Sequence, residues 1–182
     1  RLTISLTATM ETNMTAAAKI KADAAANLGN LPEWRLADLY DGMDCPRLKA
    51  DLDGAEKAAA AFGKAYAGTL ADIDGAALGK AVAEYERIDE VLSRAASYAQ
   101  LVHSGDMGDV EIGRFYQSVV ERVTDISTNL LFFTLELNRL EEAVLAEKLK
   151  APELAKFSAW LRDLRVFREH QLSDDLEKLL HE

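Results

Sequence analysis

Apolar residues recur at three- and four-residue steps along most of this chain, the spacing of helices that bury one face. The first run is Leu48, Leu52, Ala55, Ala59, Phe62 and Tyr66. Asp44 can cap its free N–H groups, Pro46 suits its first turn and Gly68 ends it. Gly54 and Gly63 lie inside the stripe, where they weaken the helix or let another backbone come close. A second run starts near Asp74 and aligns Leu78, Val82, Tyr85, Ile88, Leu92, Ala95, Ala99 and Val102. Glu86, Arg87, Glu90 and Arg94 decorate its other side, with Glu90 and Arg94 in the favourable order for an i,i+4 pair. It runs to Ser104-Gly105-Asp106. A third run starts near Asp109 and carries Ile112, Tyr116, Val119, Val123, Ile126, Leu130, Phe133 and Leu137. Leu131, Phe132 and Leu135 widen its apolar belt, which predicts burial on more than one side. Asn138 is read as its break.

Shorter helices follow. A fourth is predicted over residues 141–150, and Pro152 starts a fifth that contains Leu154, Phe157, Trp160, Leu161, Leu164 and Phe167. Gln171-Leu172-Ser173 breaks it. Ser173, Leu176 and Glu177 then mark the capped start of a sixth, whose amphipathic pattern is still open at Glu182 and reads as part of a larger protein. Nothing repeats at 20–50 residues, which argues against a helical array. The expectation is an all-α fold: a bundle of about five to six antiparallel helices, two or three of them long.

The start of the chain differs. Residues 1–30 are rich in Thr and Ala with little apolar periodicity, and are expected to be disordered or a fraying helix that stops at Gly29. Leu31-Pro32-Glu33-Trp34 changes the register, and Trp34, Leu36, Leu39 and Tyr40 are expected to anchor the first helix by burying their aromatic rings. The organisation predicted is a segment 1–30 and a helical domain 31–182.

Composition narrows the partners. Asp and Glu number 31 against 21 Lys and Arg, a formal charge of -10. Such a chain repels phosphate backbones, so no nucleic-acid partner is expected. No basic cluster and no run of ~20 apolar residues points to a membrane. Cys45 stands alone, which excludes an internal disulfide and a Cys-rich zinc site, and it is read as a small side chain beside Pro46.

Candidate chemistry is sparse. His103, His170 and His181 never stand four apart, so the paired-histidine zinc motif H-E-x-x-H is absent as a unit. His181-Glu182 matches only its first two letters. His103 and His170 are read as packing or helix-end residues. The neighbours Glu141-Glu142 and Asp174-Asp175 cannot face the same way on a helix and make no acid/base dyad. No Glu has His three residues on, which excludes the di-iron bundle motif. Gly105-Asp106-Met107-Gly108 is a turn between helices, not a phosphate loop. No catalytic, cofactor-binding or metal residue is assigned in this chain.

Several segments, taken in order, resemble the N-terminal region of the oligoendopeptidase F family, zinc metallopeptidases of the thimet-oligopeptidase-like group. They are Leu31-Pro32-Glu33-Trp34-Arg35-Leu36-Ala37-Asp38-Leu39-Tyr40, residues 62–66, Tyr98-Ala99-Gln100-Leu101, Phe132-Phe133-Thr134-Leu135-Glu136-Leu137, and His170-Gln171-Leu172-Ser173-Asp174-Asp175-Leu176-Glu177-Lys178-Leu179-Leu180. The resemblance implies a cytoplasmic peptidase in which a zinc-activated water attacks a peptide bond, with the H-E-x-x-H glutamate as general base. It places those residues in a C-terminal catalytic region, none of them on this chain. It implies that this part is a helical lobe walling a channel that admits short oligopeptides. Zinc is then expected in the full-length parent, with no cofactor held here. The expected partners are the C-terminal catalytic domain and the oligopeptide substrate, and the isolated segment is expected to be inactive and prone to self-association. A stand-alone helical interaction module is the alternative.

Overall fold

The structure is a computed structural model and describes residues 34–181. The expectation for residues 1–30 lies outside them. The chain divides into two units between Arg35 and Leu36, and every helix belongs to the second among the described residues.

Every regular element among the described residues is helical. A 3-10 turn, Leu36–Asp38, leads in. Three long helices come next: α1 (Pro46–Tyr66), α2 (Gly75–Gly105) and α3 (Val110–Thr128). The remainder is built of shorter pieces: α4 (Leu131–Arg139), α5 (Glu142–Lys148), α6 (Pro152–Ala155), α7 (Ser158–Leu164), a 3-10 turn over Arg165–His170, and α8 (Asp174–His181). The all-α reading holds, with three long helices and a finer subdivision of the rest.

α2 is the spine. It packs against α1, α3, α5 and α6. Leu48, Leu52, Ala55, Ala59 and Phe62 of α1 are buried, as are Leu78, Val82, Ile88, Leu92, Ala95 and Ala99 of α2. These are the stripes the periodicity marks. Asp74 caps α2 by accepting from the Ala77 N–H at 2.8 Å, and Asp109 caps α3 through the N–H groups of Glu111 and Ile112. Gly68 sits at φ 76 beyond α1, a conformation that favours glycine, and its N–H donates to Glu136 Oε1 at 2.7 Å.

Several local expectations are corrected. The α1 N-cap is Cys45, not Asp44, and no side chain caps there. Trp34 is 84 % exposed, whereas Tyr40 is buried, its hydroxyl donating to Asp51 Oδ2 and its ring edge-on to Tyr98. Tyr40 has a carboxylate to satisfy its polar end, which is what lets a tyrosine go inside.

The third run breaks at Asn129-Leu130 rather than at Asn138. Ser127 and Thr128 both turn their hydroxyls back onto the Thr124 carbonyl, and Asn129 bonds the Asp125 carbonyl. Such back-bonding competes with the helical ladder. The N–H groups of Asn129 and Leu130 then close i→i−3 turns, and Phe133 bonds Leu130 in the same way.

The predicted fifth helix is divided by Lys156 and Phe157 into α6 and α7, which buries Leu154 and Leu161 on either side of the bend. The tightest backbone approaches are at Gly75 and Gly79; at Gly63 the Asn129 carbonyl oxygen lies in ordinary contact at 3.7 Å, and among the described residues nothing lies within 4 Å at Gly54. A Cβ on Gly75 would lie 2.1 Å from the Lys148 carbonyl oxygen, and one on Gly79 would lie 2.5 Å from the Glu153 carbonyl carbon. These glycines, one turn apart, form the notch in α2 that seats the end of α5 and the turn of α6.

Candidate functional site

The C-terminal third is held together by arginines. The Arg165 side chain is nearly out of solvent and donates to the carbonyls of Leu137, Asn138 and Leu140 at the end of α4. Carbonyls at a helix end lack intrahelical partners, and a cation there complements the helix dipole. The same guanidinium reaches Glu142 Oε1 at 2.6 Å, and Arg168 reaches it at 3.2 Å. The hydrogen bond from Arg165 is the largest influence holding the Glu142 carboxyl below its ordinary range. Arg139 pairs with Asp174. Each of the two acidic pairs thus gives a carboxylate to a tether between elements. Between Arg139 and Arg168 lies a small polar cleft lined also by Asn138, Gln171 and Leu172. Neither the Asn138 nor the Gln171 side-chain oxygen has a donor among the described residues.

α8 closes this region and leaves an apolar row open. Glu177 reaches back to accept from the Leu172 N–H at 2.7 Å, and His181 Nε2 lies 2.9 Å from Ser127 Oγ on α3. Leu176, Leu179 and Leu180 stand at i, i+3 and i+4 on one face and are 48, 67 and 72 % exposed. Leu172 adds to the exposed apolar surface just before the helix.

A second feature lies between α2 and α7. Val82, Tyr85, Glu86 and Asp89 meet Phe157 and Trp160 around a cleft of about 250 Å³. Tyr85 stacks on Phe133 at 5.1 Å and lies 5.9 Å from Trp160. Burial, then the charge of Asp89, pushes the Tyr85 hydroxyl up to about 12. Burial raises the Asp89 carboxyl too.

The remaining candidates have structural surroundings. His103 stacks on Tyr116 with ring centroids 4.8 Å apart. His170 ends the 3-10 turn on the surface. Cys45 is buried at the start of α1. The three histidines stand on separate elements, and no group of three His, Cys, Asp or Glu among the described residues could hold a metal ion. No helix among the described residues is long and apolar enough to cross a membrane.

Comparison with known families singles out this same C-terminal third. Residues 136–182 match the family model for oligopeptidase F. The oligopeptidase F segment begins inside α4 and takes in α5 to α8, about a quarter of the chain. Of the segments that carry the resemblance, Glu136-Leu137 and residues 170–180 fall inside it, and those upstream fall outside. No curated protein and no solved structure matches the chain. Oligopeptidase F belongs to a family of zinc-dependent metallopeptidases. The donors that such a zinc needs, three nitrogen or oxygen ligands converging on an open position, are not brought together by the described residues. Among the described residues, the matched stretch consists of arginine-tethered short helices ending on an exposed leucine row.

Proposed function

We propose that this helical unit is the N-terminal lobe of an oligopeptidase F-type zinc metalloendopeptidase, one wall of a channel that restricts cleavage to short peptides. The match of residues 136–182 to the oligopeptidase F model supports the reading, and the exposed leucines of α8 offer an apolar face that a further domain of the same enzyme would cover. The long helices supply a stiff wall. On this reading the reaction belongs to a catalytic region of the enzyme that this helical lobe walls.

The test expresses the complete encoded protein beside the 182-residue chain. The complete protein is expected to cleave a quenched fluorescent oligopeptide in a zinc-dependent manner, to spare a tightly folded protein, and to lose activity when Leu179 and Leu180 are replaced by Asp. The 182-residue chain is expected to cleave neither. Zinc-dependent cleavage by the 182-residue chain, or equal cleavage of folded and short substrates by the complete protein, overturns the reading.

A further inference from the structure

We infer that the cleft between α2 and α7 is a binding site for a guanidinium or alkylammonium group, presented by a basic side chain of a peptide. The peptide source rests on the channel reading above, whereas the cation site rests on the cleft itself. Its walls are three aromatic rings, Tyr85, Phe157 and Trp160, over a floor of Val82. A cation over an aromatic face is attracted by the ring quadrupole, most strongly over Trp. Phe157 already attracts one, since Lys156 Nζ stands 4.6 Å from its centroid. The cleft also carries two carboxylates, Glu86 and Asp89, three residues apart and so on one side of α2. Among the described residues neither pairs with a cation or accepts a hydrogen bond, Lys156 included.

Several carboxylates elsewhere on the long helices are engaged. Asp51 takes the Tyr40 hydroxyl, Asp53 and Glu56 take Arg122, Glu84 takes Tyr66 and Glu90 takes Arg94. Burial raises the Asp89 carboxyl with no opposing positive charge to lower it. A bound cation would supply that charge. The cleft is large enough for a side-chain terminus and too small for a folded partner. A flat guanidinium suits it better than a compact ammonium, because a guanidinium stacks on aromatic faces and pairs with carboxylates through a planar fork of donors.

The test uses the 182-residue chain with Trp34→Phe, which leaves Trp160 as its single tryptophan. Indole fluorescence is titrated with n-butylguanidinium, with an acetylated and amidated alanine pentapeptide bearing a central arginine, and with the same peptide bearing citrulline. Saturable change is expected with the two cations, at least about tenfold weaker with the neutral citrulline peptide. Glu86→Gln with Asp89→Asn is expected to weaken both cations to the citrulline level while far-UV circular dichroism stays unchanged. Trp160→Phe, followed by NMR shifts of Tyr85, is expected to weaken them by a smaller factor. No saturation by butylguanidinium, or an affinity indifferent to the two carboxylates, overturns the site. Carboxylate-dependent binding of butylguanidinium without binding of the arginine peptide keeps the cation site and counts against the peptide channel.

Discussion

Replacing Gly79 by Ala should destabilise this protein, although the same change in an open helix would do the opposite. Glycine inside a helix costs roughly 0.5–1 kcal/mol relative to alanine, so an unhindered Gly→Ala exchange stabilises by about that amount. At position 79 the new Cβ would meet the Glu153 carbonyl carbon at 2.5 Å, and both the Glu153 oxygen and the Leu154 nitrogen at 2.7 Å. Carbon atoms rest comfortably about 3.5–4.0 Å apart, so the backbone of α6 has to lift by about 1 Å. It cannot swing aside as a side chain would, because Leu154 in the same turn is fully buried. Overpacking of this kind costs typically about 1–3 kcal/mol. Net of the helix gain, Gly79→Ala should destabilise by roughly 1–2 kcal/mol, a fall in Tm of about 2–8 °C for a domain of this size. Gly54 is the control: it also lies inside a helix, and nothing comes within 4 Å of its Cβ position among the described residues. Gly54→Ala should raise Tm by about 1–4 °C. Thermal melts followed at 222 nm, with urea midpoints as a second measure, read both. If the two substitutions move stability in the same upward direction, the seating of α6 in the glycine notch is wrong.

Buried polar groups give two other perturbations. Lys148 is buried and donates to the Ala71 carbonyl at 2.9 Å and to that of Ile73, so it ties the α1–α2 loop to α5. Lys148→Met keeps the stem but leaves those carbonyls short of a donor, and should cost roughly 1–3 kcal/mol by urea midpoint; an unchanged midpoint rejects the tether. Tyr40 and Tyr85 both have hydroxyls pushed up to about 12, by burial first and by Asp51 and Asp89 next. A folded value raised above the ordinary 10 favours the neutral ring, so this stability is complete below pH 10 and drains away as pH rises towards 12. Absorbance at 295 nm should show these two rings ionising late, together with a falling Tm. Ionisation of all five tyrosines in one step near pH 10, with native circular dichroism, contradicts their burial.

The helical architecture was legible because α1 and α2 each bury one clean stripe, and a stripe is a local property of sequence. Asp74 and Asp109 were legible as helix starts for the same reason, whereas Asp44, read as the cap of α1, lies one residue before its N-cap. What failed was whatever depends on a distant segment. Gly54, Gly63, Gly75 and Gly79 are the same residue type in the same kind of helix, yet only the last two have a backbone closer than ordinary van der Waals contact, and that backbone arrives some 70 residues later along the chain. A signal existed in the Gly75-x-x-x-Gly79 spacing, which puts two absent side chains on one face. The break at Asn129 was hidden by an apolar repeat that continues in phase across it. The cue was instead polar, in the run Ser127-Thr128-Asn129, whose side chains can bond their own backbone.

The candidate surfaces divide along the same line. The spacing of Leu176, Leu179 and Leu180 announces an amphipathic helix, but spacing alone cannot say whether that face is covered, and here it is open. Glu86 reads in sequence as decoration on the outer side of α2. It becomes something else only because the bend at Lys156-Phe157 brings Trp160 against Tyr85. An acid on a helix surface is ordinarily solvated and inert, and an aromatic cleft alone would be a packing defect. The cation-site proposal rests on their being placed together: ring faces attract positive charge, and nearby carboxylates add to that attraction. The α8 leucines form an apolar row on a short helix rather than an aromatic cleft, a different surface chemistry from that between α2 and α7. If both proposals hold, a neighbouring domain takes the α8 face and a cationic group takes the α2–α7 cleft.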